Sequence, residues 1–457
     1  MRRPSVQQEA LQQLTDQAER RRTAFRRLMA FSQAEEHPAM TRIMREYADA
    51  LWVLGMARDA DQLLPEAERL LADAHAIGRQ VLGEHDPETL TCLDHLAGVR
   101  QDRGDGDGAR ALYEQCLADR EQFLGPEHRD TLASMNHLAE LLLDAGEADR
   151  ALLLLEDAVR RARKELGGRN PDTLASIRNL ARALKARGDL LAARELQIQL
   201  VVDSTQVLGQ DALGTLDATN DLAATCLSGD DLSSAEGLFT SAIEGYRKVL
   251  GDTHPDTLTA MANLATVLGR LDDLDGARDG HRHVLDLRLT MLGPEDPDTL
   301  GSMGDLAGVL VALGQPEEAR PLQEEALAGF RRVLGPDHRD TLWAMGNLAR
   351  TLTALGRPRD ALKLQEEALE RCQRVLGPAH PDTVIAMASL AETHFTLGSE
   401  RTGKALLETA IKLGRLSFGD HPMLESYRER LLEIGNRILR QDPPRRRWPF
   451  SRPPGRR

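Results

Sequence analysis

The chain repeats itself every 42 residues. The segment LGPDHRDTL, residues 334–342, has a near copy in each period, led by Leu82, Leu124, Leu166, Leu208, Leu250, Leu292, Leu334 and Leu376. Eight copies in strict register restrict the fold to a repeat architecture, in which each unit buries its apolar surface only against its neighbours. A length of 457 residues would otherwise suggest about three domains. The period overrides that expectation, because a stack has no single core to saturate.

The seventh unit shows what one repeat must be. Acidic Asp340 stands at a helix start, where its charge offsets the dipole. Leu342, Met345, Leu348, Ala349, Leu352 and Leu355 then fall on one stripe of a first helix, A. Gly356 ends helix A, with Pro358 just beyond. A second helix, B, carries Ala361, Leu362, Leu364, Ala368, Leu369 and Cys372, and stops at Gly377-Pro378. Aromatic residues are only 3% of the chain, so Leu and Ala supply the packing, which suits closely stacked helices.

Small residues recur where the two helices would cross. They are Ala97, Ala139, Ala181, Ala223, Ala265, Ala307, Ala349 and Ala391 in helix A, and Ala109, Ala151, Ala193, Ala235, Ala277, Ala319 and Ala361 in helix B. Gly403 departs from the pattern in the eighth repeat. An Asn-Leu-Ala triplet begins at Asn179, Asn263 and Asn347. Together these features resemble the tetratricopeptide repeat, in the 42-residue form of kinesin light chains and many bacterial proteins. The resemblance covers residues 37–440. It implies an all-α, right-handed superhelical solenoid of about nine stacked antiparallel helix pairs, with a concave groove that binds proteins or peptides.

Residues 5–34 predict one amphipathic helix, and residues 1–36 are expected to cap the first repeat or to contact a partner or a second copy. A degenerate first repeat starts at residue 37, with a break between Gly55 and Asp61. The fourth junction, LGQDALGTL, lacks the His-Pro pair, so a looser or re-aimed stack is expected there. Residues 423–440 predict a last capping helix, with Glu425, Arg428, Arg430 and Glu433 on its outer face. The 441–457 tail is Pro- and Arg-rich and cannot form a core. It reads either as a solvated end or as a docking peptide for an acidic partner or anionic surface, through Arg445, Arg446, Arg447, Trp448 and Phe450.

Net charge is −14, and the arginine-rich tail leaves the body before it more acidic still. Such a body argues against nucleic acid along the solenoid, because phosphate binding needs a basic stripe. Arginine supplies all but six of the 58 basic residues, as in a high-GC bacterium. The start lacks the apolar core of a signal peptide, and no run reaches the length of a membrane-spanning helix. Four cysteines, Cys92, Cys116, Cys226 and Cys372, lie far apart, as buried thiols of a reduced cytoplasm would.

Nothing in the pattern carries catalysis. GSERTGKA, residues 398–405, imitates a phosphate-binding loop, but a predicted helix precedes it and Ala405 stands where the loop needs Ser or Thr. The junction histidines His85, His128, His254, His338, His380 and His421 come one per repeat. They are a whole unit apart, so they cannot share a metal, and read as turn and packing residues. His281 and His283 point to different sides of one helix. The chain is therefore expected to be no enzyme and to take no cofactor, metal or nucleotide.

The informative positions are those on the other side of helix A, which the resemblance assigns to the groove. They are Asn136 and Glu140 in the second repeat, Arg178, Arg182 and Lys185 in the third, Asp217 and Asn220 in the fourth, and Arg270 in the fifth. The sixth offers Gly301, Gly304 and Gly308, the seventh Trp343, Gly346 and Arg350, and the eighth Ile385, Glu392 and Phe395. Two groups stand out. The basic trio of the third repeat suits carboxylate recognition, or is a solvated face balanced by neighbours such as Glu140. Four glycines on helix interiors each cost about 0.5–1 kcal/mol relative to Ala, so something approaches the backbone there beside Trp343 and Phe395, unless the helices simply pack closely. The expected function is an adaptor that holds a partner segment across these groups. The alternatives are a peptide-sensing regulatory subunit whose effector is a separate chain, or membrane or nucleic-acid association through the tail.

Overall fold

The computed structural model describes residues 6–29, 39–58, 63–418 and 422–441. Among these residues all regular structure is α-helical, in twenty helices. The chain divides into two compact units, Met1–Leu271 and Asp272–Arg457. The first holds α1 (Val6–Met29), α2 (Ala39–Arg58), α3 (Leu63–Val81), α4 (Pro87–Asp102), α5 (Gly106–Phe123), α6 (Arg129–Asp144), α7 (Ala148–Glu165), α8 (Pro171–Arg187), α9 (Leu190–Leu208), α10 (Leu213–Ser228), α11 (Leu232–Val249) and α12 (Pro255–Arg270). The second holds α13 (Leu274–Met291), α14 (Pro297–Ala312), α15 (Pro316–Val333), α16 (Arg339–Ala354), α17 (Pro358–Val375), α18 (Pro381–Thr396), α19 (Glu400–Phe418) and α20 (Pro422–Gln441). Within each unit every helix packs on the next in sequence. Even-numbered helices from α4 to α18 are the A helices and the odd-numbered ones that follow them are the B helices.

The repeated junction does three physical jobs. After α15, Gly335 takes φ +89° and its N–H bonds the Phe330 carbonyl at 3.1 Å, closing the helix in the left-handed conformation that glycine tolerates. His338 Nδ1 then accepts the Asp340 N–H at 3.2 Å, capping α16. Thr341 Oγ1 donates to the Gly335 carbonyl at 2.7 Å, tying the new helix to the end of the old one. The histidines expected as turn residues are thus N-caps at His128, His254, His338 and His380. Asp86, Asn170 and Asp296 do the same elsewhere. His85 sits one residue earlier and stacks on Phe123 instead. His421 lies outside the described residues.

The fourth junction loses only one of these jobs. Ala212 has no side chain to cap α10, yet Thr215 still donates to the Gly209 carbonyl at 2.8 Å. Leu200 and Ala218 stay buried together with Ile177. The expected loosening is therefore confined to a missing cap. All fifteen crossing alanines are buried. At Gly403, a Cβ would lie 2.5 Å from the Phe395 ring, which explains why the eighth repeat departs from alanine.

At the N-terminal end, α1 lies on α2, with Ala18 buried beside Ala50 and Leu54 and Phe25 stacked on Tyr47. Helix α2 runs to Arg58, and residues 59–62 lie outside the described residues. Gly55 remains inside α2, under Leu63 and Leu64. At the other end α20 buries Leu424 and Ile434.

Candidate protein-binding site

The two units use the same helix-A face differently. In the first unit it is filled by polar groups that answer one another from helix to helix. Asp94 of α4 is 3% exposed and accepts from Ser134 at 2.9 Å, with His137 at 2.8 Å and Arg120 at 3.4 Å. Burial alone would raise the Asp94 carboxyl, but the hydrogen bond and charge of His137 and the charge of Arg120 hold it below its usual range. One repeat on, Asn136 donates to Ser176 at 2.8 Å.

The basic trio of the third repeat belongs to this interlocked face. Arg178 gives Nε to Asp221 at 2.6 Å and Nη1 to Asp217 at 3.0 Å, and Tyr246 holds Asp217 from behind at 2.8 Å. Two of its three nitrogens are committed to these acids, so its charge is already answered within the stack. Asn220 lies beside Asp221 with its Oδ1 buried and unbonded. Arg182 is exposed, touching Asn179 at 3.5 Å and Glu140 at 3.9 Å. Burial pushes the Lys185 ammonium below its usual value, against the pull of Asp221. Arg270 is spent on the preceding turn, bonding the Leu227 carbonyl at 2.7 Å and Asp230 at 2.5 Å. Balance by neighbouring acids, rather than a ready anion site, describes this region.

In the second unit the same face opens into a cavity of about 680 Å³ bounded by α13 to α18. Gly301, Trp343, Gly346, Arg350 and Ile385 line it, all of them expected groove positions. A Cβ added at Gly301 or Gly346 would meet nothing within 4 Å. Trp343 is 47% exposed.

The other two glycines have different roles. A Cβ at Gly304 would come within 2.8 Å of the Trp343 ring, so this glycine seats the tryptophan. Gly308 is exposed and lies outside the cavity lining. Phe395 does not join the site either. It is 8% exposed and packed among Ala388, Ala391, Leu407 and Ile434, with Arg430 of α20 over its ring. The same arginine holds Glu392 through two bonds of 2.9 Å, so the last helix closes over both. The tail residues Arg445, Arg446, Arg447, Trp448 and Phe450 lie outside the described residues.

Two cavity residues were invisible as candidates in the sequence. Asp305 on α14 lines the cavity with no hydrogen bond or ion pair among the described residues. Burial raises its carboxyl to about 6, against the opposing charge of Arg288. Gln365 on α17 is 4% exposed; its Nε2 reaches the Ser389 carbonyl at 3.3 Å, while its Oε1 is unbonded.

No group of three or more metal-ligating side chains occurs among the described residues, and no described helix is long and apolar enough to cross a membrane. The stretch that imitates a phosphate loop is a helix–turn–helix corner, with Gly398 at φ +76° and Lys404 paired to Glu408 on α19.

The model of the tetratricopeptide repeat matches residues 93–164, 172–248, 215–290, 298–371 and 352–415, well over half of the chain. The chain is a member of the tetratricopeptide repeat family. Proteins of this family are protein-interaction scaffolds, typically without catalytic activity. A search of curated proteins found no match. Among solved structures, one similar in fold is a signal-transduction ATPase with a tetratricopeptide repeat sensor from Pyrococcus horikoshii, at 13% identity and TM-score 0.51 over 88% of this chain and 55% of that one. Nearly identical kinesin-light-chain repeats from Podosopora anserina align at 28% identity and TM-score 0.40, over 45% of this chain and 97% of that one. BtubC from P. vanneervenii aligns at 19% identity and TM-score 0.41, over 52% and 94%.

Proposed function

We propose that this tetratricopeptide repeat chain is a non-catalytic adaptor that binds a segment of another protein in the cavity over α16. The observation that carries the reading is the pairing of Gly301 and Gly346, whose missing side chains leave open space, with a half-exposed Trp343 in the same cavity. Backbone laid bare on a helix face lets a guest chain approach closely, and an exposed tryptophan is the kind of anchor on which binding energy concentrates. The cavity size lies in the range of sites that bury small guests or a short stretch of peptide.

The test is a random peptide library displayed on phage and panned on the whole chain. Selected peptides should lose binding to Gly346→Leu, which projects a side chain into the cavity, and to Trp343→Ala. Peptides indifferent to both substitutions would place the binding surface elsewhere.

A further inference from the structure

The charges lining the cavity are not equally committed. Asp382 takes the Arg339 guanidinium at 2.9 Å, Asp298 faces Arg288 at 3.8 Å, and Asp340 faces the imidazole of His338 at 3.7 Å. Asp305 alone among these four carboxylates has no such partner among the described residues.

The repeat itself shows how unusual this is. Asp305 occupies the place of the Asn in the Asn-Leu-Ala triplet. The equivalent residue is answered in five of the seven other repeats, and the two that are not answered among the described residues, Asn263 and Ser389, carry no charge. His95 bonds Asp49 at 2.7 Å, His137 bonds Asp94 at 2.8 Å, and Asn179 bonds Glu140 at 3.0 Å. Asp221 accepts from Arg178 at 2.6 Å, and Asn347 accepts from Arg350. In two of these repeats the residue three positions on, Arg182 or Arg350, contributes to the answer. At Asp305 that position is Gly308. An acid thus stands at a position built to be partnered, and the neighbour that could reach it has no side chain.

We infer that Asp305 receives the lysine or arginine side chain of a protein segment bound in this cavity. This rests on the adaptor reading above and specifies its ligand. The chemistry favours a basic side chain over other cations. No group of three or more side chains that could hold a metal occurs among the described residues, whereas one ammonium or guanidinium satisfies a lone carboxylate with a charge-assisted bond. Trp343, which lines the same cavity, offers its ring to the aliphatic stem or to the cation itself. Leaving a half-buried acid without a partner weakens the free protein, and such a cost is characteristic of a functional position.

The experiment uses the peptides selected on the whole chain as probes, resynthesised and titrated by calorimetry. Gly346-sensitive peptides should share a Lys or Arg. Replacing it with Met should weaken binding at least about tenfold, as expected for losing one partner of a desolvated charge pair. Asp305→Asn should weaken the parent peptide by a similar factor, and the Met peptide should bind wild type and Asp305→Asn alike. The variant must also melt no lower than wild type, so that lost binding is not lost folding. Gly346-sensitive peptides without a shared basic residue, or with unchanged affinity for Asp305→Asn, overturn this assignment and leave the adaptor reading standing. Failure to select any Gly346-sensitive peptide overturns both.

Discussion

Two aspartates on A helices, Asp94 in the first unit and Asp305 in the second, contrast an acid answered within the stack with one that is not. Asp94 is buried and answered three times, by Ser134, His137 and Arg120. Asp305 lines a cavity and has no hydrogen bond or ion pair among the described residues. The two acids stand one register position apart, Asp305 at the place that His95 holds beside Asp94, so the contrast lies in the groups that surround each acid. On the adaptor reading, the candidate surface of this stack lies where the side-chain interlock between repeats is interrupted, not where charge is densest.

The largest expected effect follows from breaking the answered acid. Asp94→Ala leaves Arg120, 3% exposed, and His137 without their counter-charge. Removing one partner of a buried ion pair costs about 3–5 kcal/mol, read as a loss of unfolding free energy in urea at pH 7. Asp305→Asn should act in the opposite direction and stabilise by about 1–3 kcal/mol. The pH dependence separates the two. The carboxyl of Asp94 is held below its unfolded value, so its stabilisation is present above about pH 4 and is lost as acid protonates the folded state. The carboxyl of Asp305 is raised to about 6, so the folded protein weakens as pH rises from about 4 through 6. The benefit of Asp305→Asn should therefore vanish below pH 4 and be complete above 6. A loss of stability for Asp305→Asn at pH 7 would show that the carboxylate is answered after all.

A middle-sized effect sharpens the same comparison with arginines. Arg178→Ala strands Asp217 and Asp221 and should cost about 1–3 kcal/mol. Arg350→Ala breaks only a bond to Asn347 on its own helix and should fall within about 0.5 kcal/mol. Thermal melts of the two variants side by side suffice. Equal costs would mean that the two faces are equally interlocked.

Much of the scaffold is legible in the sequence because its causes are local and repeated. Glycine at the helix end, proline beyond it and alanine at each crossing all report on contacts within one unit. The histidine caps escape such a reading, since imidazole is not among the usual N-cap side chains. The site is legible only in part, for a different reason. Gly301 and Gly346 betray themselves by standing in helix interiors. Whether Arg178 is free depends on Asp217 and Asp221, about one period further along, which a single helical wheel cannot show. Phe395 is covered by the last helix, which lies outside the repeat. Asp305 is disguised as scaffold by its place in the triplet.

The smallest effect bears most directly on whether the cavity wall is open. Glycine inside a helix is less stable than alanine by about 0.5–1 kcal/mol. A Cβ at Gly346 meets nothing within 4 Å, so Gly346→Ala should raise the unfolding free energy in urea by the full propensity gain. Gly304→Ala has the same propensity gain, but its Cβ would press within 2.8 Å of the Trp343 ring. Either the ring moves or the gain is lost to overpacking, which typically costs about 1–3 kcal/mol. The two substitutions on neighbouring A helices should therefore differ in sign, with tryptophan fluorescence shifting only for Gly304→Ala. If Gly346→Ala destabilises instead, that glycine serves close packing within the stack. The open wall would then shrink to Gly301, and the case for a guest against the α16 backbone would fail.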